Sequence, residues 1–148
     1  MSYARVPPTI ARTVARSRLL KGYRTGWLAT STVRELAIST EQVTPTTTVL
    51  ALTGEIDLYT CPELKQELLR MIEEGATLVV IDLAGTTFID STGLGVLIRG
   101  VERLRMKDGR LAVVCADPNL IKIFEVTGLD RVFSIYRSRD EAFEQASA

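Results

Sequence analysis

Two hydroxyls stand between an acid and a pair of glycines in Asp90-Ser91-Thr92-Gly93-Leu94-Gly95. A segment of this composition can do three kinds of chemistry. It can cap a helix, because Asp and Ser side chains accept hydrogen bonds from the free amides of a first helical turn. It can accept a phosphoryl group on Ser91 or Thr92. It can cradle phosphate on backbone amides, as glycine-rich loops do, but the chain has no Gly-x-x-x-x-Gly-Lys-Ser/Thr run and a lone Gly-Leu-Gly says little. Upstream, Gly54-Glu55-Ile56-Asp57 places a second acid just before a helical segment. Asp57 can end a strand and help cap that helix.

Composition removes much other chemistry. The 148 residues include no histidine. No Ser-His-Asp or Cys-His nucleophile can be assembled, and zinc loses its usual nitrogen ligand. General acid-base work near neutral pH would need a strongly shifted carboxylate or lysine. The expectation is a protein that is not an enzyme, with no metal and no cofactor. Cys61 and Cys115 are far apart and in no metal-like spacing. Cys115 lies in the apolar run Leu111–Ala116 and reads as buried; Cys61 reads as a partly exposed thiol at a helix start, with no neighbour that would make it reactive.

Net charge is zero, with 18 basic and 18 acidic residues, but the charge is unevenly placed. Residues 1–34 hold Arg5, Arg12, Arg16, Arg18, Lys21, Arg24 and Arg34 and no acid, a charge of +7; the remainder carries −7. The first segment also has Pro7-Pro8 and shows no sustained period, so residues 1–32 read as a flexible basic arm, solvated or touching an anionic surface. No apolar run approaches the ~20 residues that span a bilayer, and no signal peptide is evident, so a cytoplasmic location is expected.

The elements that must position Asp57 and Ser91 follow from periodicity. Glu35–Ile38 and Thr47–Ile56 read as strands. Thr60-Cys61-Pro62-Glu63 has the form of a capping box, and Leu64, Leu68, Met71 and Ile72 then recur on one helical face until Gly75. Leu78–Ile81 is apolar without alternation, as in a strand covered on both faces. After Phe88-Ile89, the residues Leu94, Leu97, Ile98, Val101 and Leu104 mark a second helix. Its start holds Gly93 and Gly95, poor helix formers that are explained if sheet or partner must approach closely. Leu94 fits either the core or a contact surface. Leu111–Ala116 is another buried strand. Asp117-Pro118 opens a third helix ending at Gly128, Val132–Tyr136 is a last strand, and Ser138-Arg-Asp-Glu141 opens a C-terminal helix. The order ββαβαβαβα predicts an α/β fold: one open mixed sheet of about five strands with about four helices packed on it, over residues 33–148.

The run Val79–Val96, which contains Asp82-Leu-Ala-Gly-Thr-Thr-Phe-Ile-Asp-Ser-Thr-Gly-Leu-Gly95, resembles the signature of the STAS-domain family of anti-sigma factor antagonists. Gly54-Glu-Ile-Asp57 resembles its second landmark, and Asn119–Phe124 and Thr127-Gly-Leu129 fit as well. The resemblance covers roughly residues 34–146. It implies that the unphosphorylated protein binds an anti-sigma factor that is also a serine kinase and so releases a sigma factor. The kinase, using its own ATP and magnesium, would phosphorylate Ser91, with Thr92 as the alternative acceptor, and a PP2C-type phosphatase would reverse this. By the same resemblance Asp57 would lie close to Ser91, and Asp57, Asp90, Ser91, Thr92, Gly93, Leu94 and Gly95 would meet the partner. Neither nucleic-acid binding nor membrane insertion is implied. A STAS module serving as a scaffold or as part of a transport complex is the competing expectation.

Overall fold

The computed structural model describes Arg12–Thr13 and residues 35–146. Six strands form one sheet in the order β1-β2-β3-β4-β5-β6. They are β1 (Arg12–Thr13), β2 (Leu36–Thr44), β3 (Thr47–Ile56), β4 (Leu78–Ile89), β5 (Arg110–Val114) and β6 (Ser134–Tyr136). The first two pairings are antiparallel; β3 through β6 run parallel. Four helices join or follow them: α1 (Cys61–Glu73), α2 (Ser91–Arg105), α3 (Pro118–Thr127) and α4 (Arg139–Ala146). Apart from Arg12–Thr13, which pair with Thr40 and Ser39, the arm expected over 1–32 lies outside the described residues.

Alternation along the strands divides the apolar residues between two faces. Leu50, Leu52 and Ile56, Val79 and Ile81, and Leu111 and Val113 face one layer, where they meet Leu64, Leu68 and Ile72 of α1, Leu97, Val101 and Leu104 of α2, and Phe124 of α3. Val49, Leu78, Val80, Ala112 and Val114 face the other layer and meet Ala142 and Ala146 of α4. The β4 run Leu78–Ile81 is therefore buried on both sides, which is why it lacks polar alternation. Arg139 fastens α4 to its face of the sheet through Asp82, at 2.7 Å, and Glu41, at 3.4 Å. Because β3, β4 and β5 are parallel neighbours, α1 and α2 run side by side in the same direction.

Three elements differ from the sequence expectation. Strand β2 continues to Thr44, because the polar stretch Ser39–Thr44 pairs with β3 and the hairpin is closed by Thr44 Oγ1, which accepts from the amides of Thr46 and Thr47 at 3.2 and 3.0 Å. Strand β4 is continuous from Leu78 to Ile89, with register shifts against β3 after Ala51 and after Gly54. These bulges absorb the small and polar residues; Asp82 Oδ1 takes the Ala84 amide at 2.9 Å, and Thr86 Oγ1 donates to Leu52 O at 2.9 Å. Strand β6 starts only at Ser134, since Leu129–Arg131 form a 3-10 turn.

The expected caps are partly realised. Asp117 caps α3, and Gly128 ends it with φ of 78°. The box at Thr60–Glu63 does not form: Thr60 sits in helical backbone and makes no cap bond. Its hydroxyl instead accepts from the Asp57 amide and donates to Glu55 O, both at 2.8 Å. At α4, Ser138 Oγ accepts from the Glu141 amide at 3.1 Å, while the Glu141 carboxylate reaches the Arg137 amide at 2.8 Å.

Candidate functional site

Strands β3 and β4 end together. Ile56 is in register with Ile89, and the amide of Asp90 donates to Ile56 O at 3.0 Å. The next residue on each strand is an aspartate, Asp57 on one and Asp90 on the other. Both therefore leave the sheet at the same end, where α1 and α2 begin.

Each carboxylate organises the turn that follows it. Asp57 Oδ1 accepts from the amides of Tyr59 and Thr60 at 2.9 and 3.0 Å, and Asp57 O accepts from the Cys61 amide at 2.8 Å. Asp57 is 3% exposed. Asp90 Oδ1 accepts from the amides of Thr92 and Gly93 at 2.9 and 3.1 Å, which makes Asp90 the N-cap of α2. The Leu94 amide is taken by Asp90 O at 3.0 Å. A helix start leaves its first amides without an intrahelical partner. Here Asp90 already takes those of Thr92, Gly93 and Leu94, so the first turn of α2 holds a carboxylate where another anion would otherwise sit.

Ser91 is exposed and opens α2; Thr92 is half-buried. Gly93 is buried because the first turn lies flat on the sheet: a Cβ there would come within 2.6 Å of Ile56 Cγ2 and 2.8 Å of Ile89 Cγ1. Gly95 is different, since a Cβ at that position would meet nothing within 4 Å. Of the two glycines, only Gly93 is required by the sheet. Leu94 is 8% exposed and belongs to the core, so a partner would reach only its edge.

Cys61 joins the two turns. It is 3% exposed, not the partly exposed thiol expected. Burial, then the negative charge of Asp90, then that of Asp57, push its thiol up to about 11. Such a thiol stays protonated near neutral pH and is a poor nucleophile. Both carboxylates thus act on the same thiol. Cys115 is buried, as expected, and burial raises its thiol pKa as well.

Periodicity did not single out Leu58 and Tyr59, which sit in the Asp57 turn and are 62% and 80% exposed. The available signal was two adjacent large apolar residues at the tip of a turn, where a fold alone gains nothing from them. They stand beside the start of α2's neighbour α1 and give the aspartate end of the sheet an apolar contact surface.

Among the described residues, no group of three or more His, Cys, Asp or Glu side chains could hold a metal ion, and no helix is long and apolar enough to cross a membrane. The fold is a mixed α/β sheet, with an exposed hydroxyl on a carboxylate-capped helix at the end of its parallel strands. The chain belongs to the STAS-domain family, whose model matches residues 37–142. It is similar to an anti-sigma-B factor antagonist of Staphylococcus epidermidis, 37% identical over 76 residues, covering 51% of this chain and 70% of that one. It is also similar to an anti-sigma-B factor antagonist of Listeria monocytogenes, 39% identical over 83 residues, covering 55% and 72%. Among solved structures, an anti-sigma factor antagonist from Mycobacterium paratuberculosis superposes with a TM-score of 0.70 at 29% identity, covering 77% of this chain and 96% of that one.

Proposed function

We propose that this protein is an anti-sigma factor antagonist, a cytoplasmic binding regulator and not an enzyme, whose partner is an anti-sigma factor with serine kinase activity. Unphosphorylated, it binds that partner and releases a sigma factor; phosphorylation of Ser91 ends the binding, and a PP2C-type phosphatase restores it. The observation that carries this reading is the position of Ser91: an exposed hydroxyl on the first turn of α2, next to Asp90, whose carboxylate and carbonyl already hold the following amides. The relatives named anti-sigma-B factor antagonists support the role.

The switch follows from charge and desolvation. A phosphoryl group adds roughly −1.5 to −2 charges. On Ser91 it would find the nearby helix amides occupied and Asp90 and Asp57 already negative. It would stay hydrated on the surface that a partner must dry when it packs on Gly95, the edge of Leu94, Leu58 and Tyr59. A loss of ~2.7 kcal/mol weakens binding by about a hundredfold.

The test is to map phosphate by mass spectrometry on protein purified from its own cells, with Ser91→Ala as control, and to titrate variants against the anti-sigma kinase. Ser91→Ala should bind like the unphosphorylated protein and Ser91→Asp about a hundredfold more weakly. A Ser91→Asp chain that binds as tightly as wild type would sink the mechanism. Phosphate on Thr92 alone would move the acceptor, and no phosphate under growth or stress would favour the scaffold or transport role.

A further inference from the structure

Helices α1 and α2 leave a groove between them with an apolar floor and basic walls. Its volume is about 410 Å3. Leu68, Leu69 and Val96 form the floor, Lys65 stands on the α1 wall, and Arg99 and Arg103 stand on the α2 wall. Glu102 is the one acid in the lining, which leaves a charge of +2. All three basic residues are exposed, and none of them forms an ion pair with a carboxylate of the described residues, Glu102 included. Arg99 and Arg103 are like charges one helical turn apart, an arrangement that disfavours the helix and gains nothing inside the domain.

The shape of the groove matches its charge. Val96, Arg99 and Arg103 recur at helical spacing on one stripe of α2, and Lys65, Leu68 and Leu69 do so on α1. Leu69 is half-buried, and Met106, which closes the far end just past α2, is 82% exposed. From Val96 to Met106 the groove runs about 15 Å, roughly three helical turns. Two helices side by side with a valley of that length accept a third helix laid along them. The near end adjoins the surface around Ser91: Ser91, Gly95 and Arg99 follow one another at four-residue spacing on α2, and Gly95 faces open space.

From this arrangement we infer that an acidic amphipathic helix of a partner protein docks in the groove between α1 and α2. Its apolar stripe lies on Leu68, Leu69 and Val96, and the carboxylates along its two edges meet Lys65 on one wall and Arg99 and Arg103 on the other. The charge pattern selects this occupant. The chain beyond residue 34 carries −7 overall, which repels a nucleic acid or an anionic membrane, and an apolar floor offers a phosphate backbone nothing. A helix with carboxylates only beside an apolar stripe places its charge at the basic walls and its side chains on the floor. One short helix buries less than about 1,200 Å2, so the contact belongs to the weak class and is loosened by salt. The inference goes beyond the partner-switching reading and stands without it, since nothing in it depends on phosphate at Ser91.

The experiment titrates the isotope-labelled full chain, followed by NMR, with a synthetic amphipathic helix of about 18 residues that carries leucine on one stripe and glutamate along both edges. A matched peptide with lysine in place of glutamate is the control. The glutamate peptide should shift the amides of residues 65–69 and 96–106. It should bind with a Kd on the order of 100 μM and lose about tenfold in affinity at about 0.5 M salt. Arg99→Glu and Arg103→Glu together should weaken it about tenfold or more and let the lysine peptide bind instead. Lys65→Glu, on the other wall, repeats the test if circular dichroism shows the double variant unfolded. Arg105→Glu makes the same charge change at an exposed position of α2 outside the groove and should leave binding unchanged. No shift at up to about 1 mM peptide overturns the proposal. So do shifts centred elsewhere, a double variant that binds like wild type, or equal binding of the two peptides. Tighter binding of a single-stranded oligonucleotide or of phosphatidylserine vesicles also overturns it and assigns the basic walls to a polyanion.

Discussion

The turns after β3 and β4 use one device for two purposes. Ile56 and Ile89 are paired in register, an aspartate follows each, and each aspartate accepts from the amides two and three residues further on. The backbone problem is the same in both places: a strand must turn into a helix and satisfy the amides that have no carbonyl yet. What differs is the setting. Asp57 is buried and enclosed with the Thr60 hydroxyl, whereas Asp90 is half-buried beside the exposed Ser91. The first turn presents apolar Leu58 and Tyr59, and the second presents hydroxyls. The aspartates hold the scaffold, and the residues next to them carry whatever the surface does. An acid beside a candidate phosphorylation site therefore has a sufficient structural reason to be there.

The largest effect expected from this comparison is on stability. Asp57→Ala leaves the buried Thr60 amide and the part-buried Tyr59 amide without their acceptor, and should cost about 2–3 kcal/mol in urea unfolding. Asp90→Ala removes an exposed-side helix cap and should cost about 1 kcal/mol. Equal losses would break the distinction between a buried turn and a surface cap.

That distinction explains how much could be read from the residues in order. The two landmark segments, the alternation of strand and helix and the double burial of Leu78–Ile81 were legible, because they rest on local period and on a short specific run. The joining of Asp57 to the Asp90 segment came only through the family resemblance and not from period, since it depends on the parallel register of Ile56 with Ile89 across 33 residues of chain. The capping box at Thr60 had the right letters, but a nearer partner, the amide of Asp57, takes the hydroxyl first. Strand β4 read as ending at Ile81 because the polar and small residues beyond it are satisfied by bonds that a local period does not reveal, the Ala84 amide by Asp82 and the Thr86 hydroxyl by Leu52 O. Leu58 and Tyr59 were invisible to periodicity because they belong to no repeating face.

A second pair sharpens the comparison within α2 itself. Gly93 and Gly95 look equivalent in sequence, but one lies against Ile56 and Ile89 and the other faces open space. Gly93→Ala must push the helix start off the two strand ends and should cost about 1–2 kcal/mol. Gly95→Ala should stabilise by up to about 1 kcal/mol, since alanine is the better helix former. If Gly95 faces the partner as proposed, the same alanine should weaken binding by about tenfold while the domain becomes more stable. A Gly95→Ala chain that binds normally would remove Gly95 from the contact surface and leave the switch to Ser91.

The smallest effect concerns the thiol between the two turns. The Cys61 pKa is raised from 9.0 to about 11, mostly by burial, with Asp90 contributing more than Asp57. Below pH 9 the thiol is protonated in both folded and unfolded chains, and the stabilisation linked to it is fully present. Above pH 9 the unfolded chain loses its proton first, so this contribution declines as pH rises toward about 11. Thiolate absorbance followed against pH, with Cys115→Ala as background, should therefore show Cys61 titrating well above an unfolded cysteine. Asp90→Asn should lower that midpoint more than Asp57→Asn, and neither should return it to 9.0, because burial remains. The reverse order would mean that the charge of the buried turn reaches Cys61 more strongly than that of the surface cap. Asp57 would then be the acid to pair with the chemistry at the start of α2, and Asp90 only its cap.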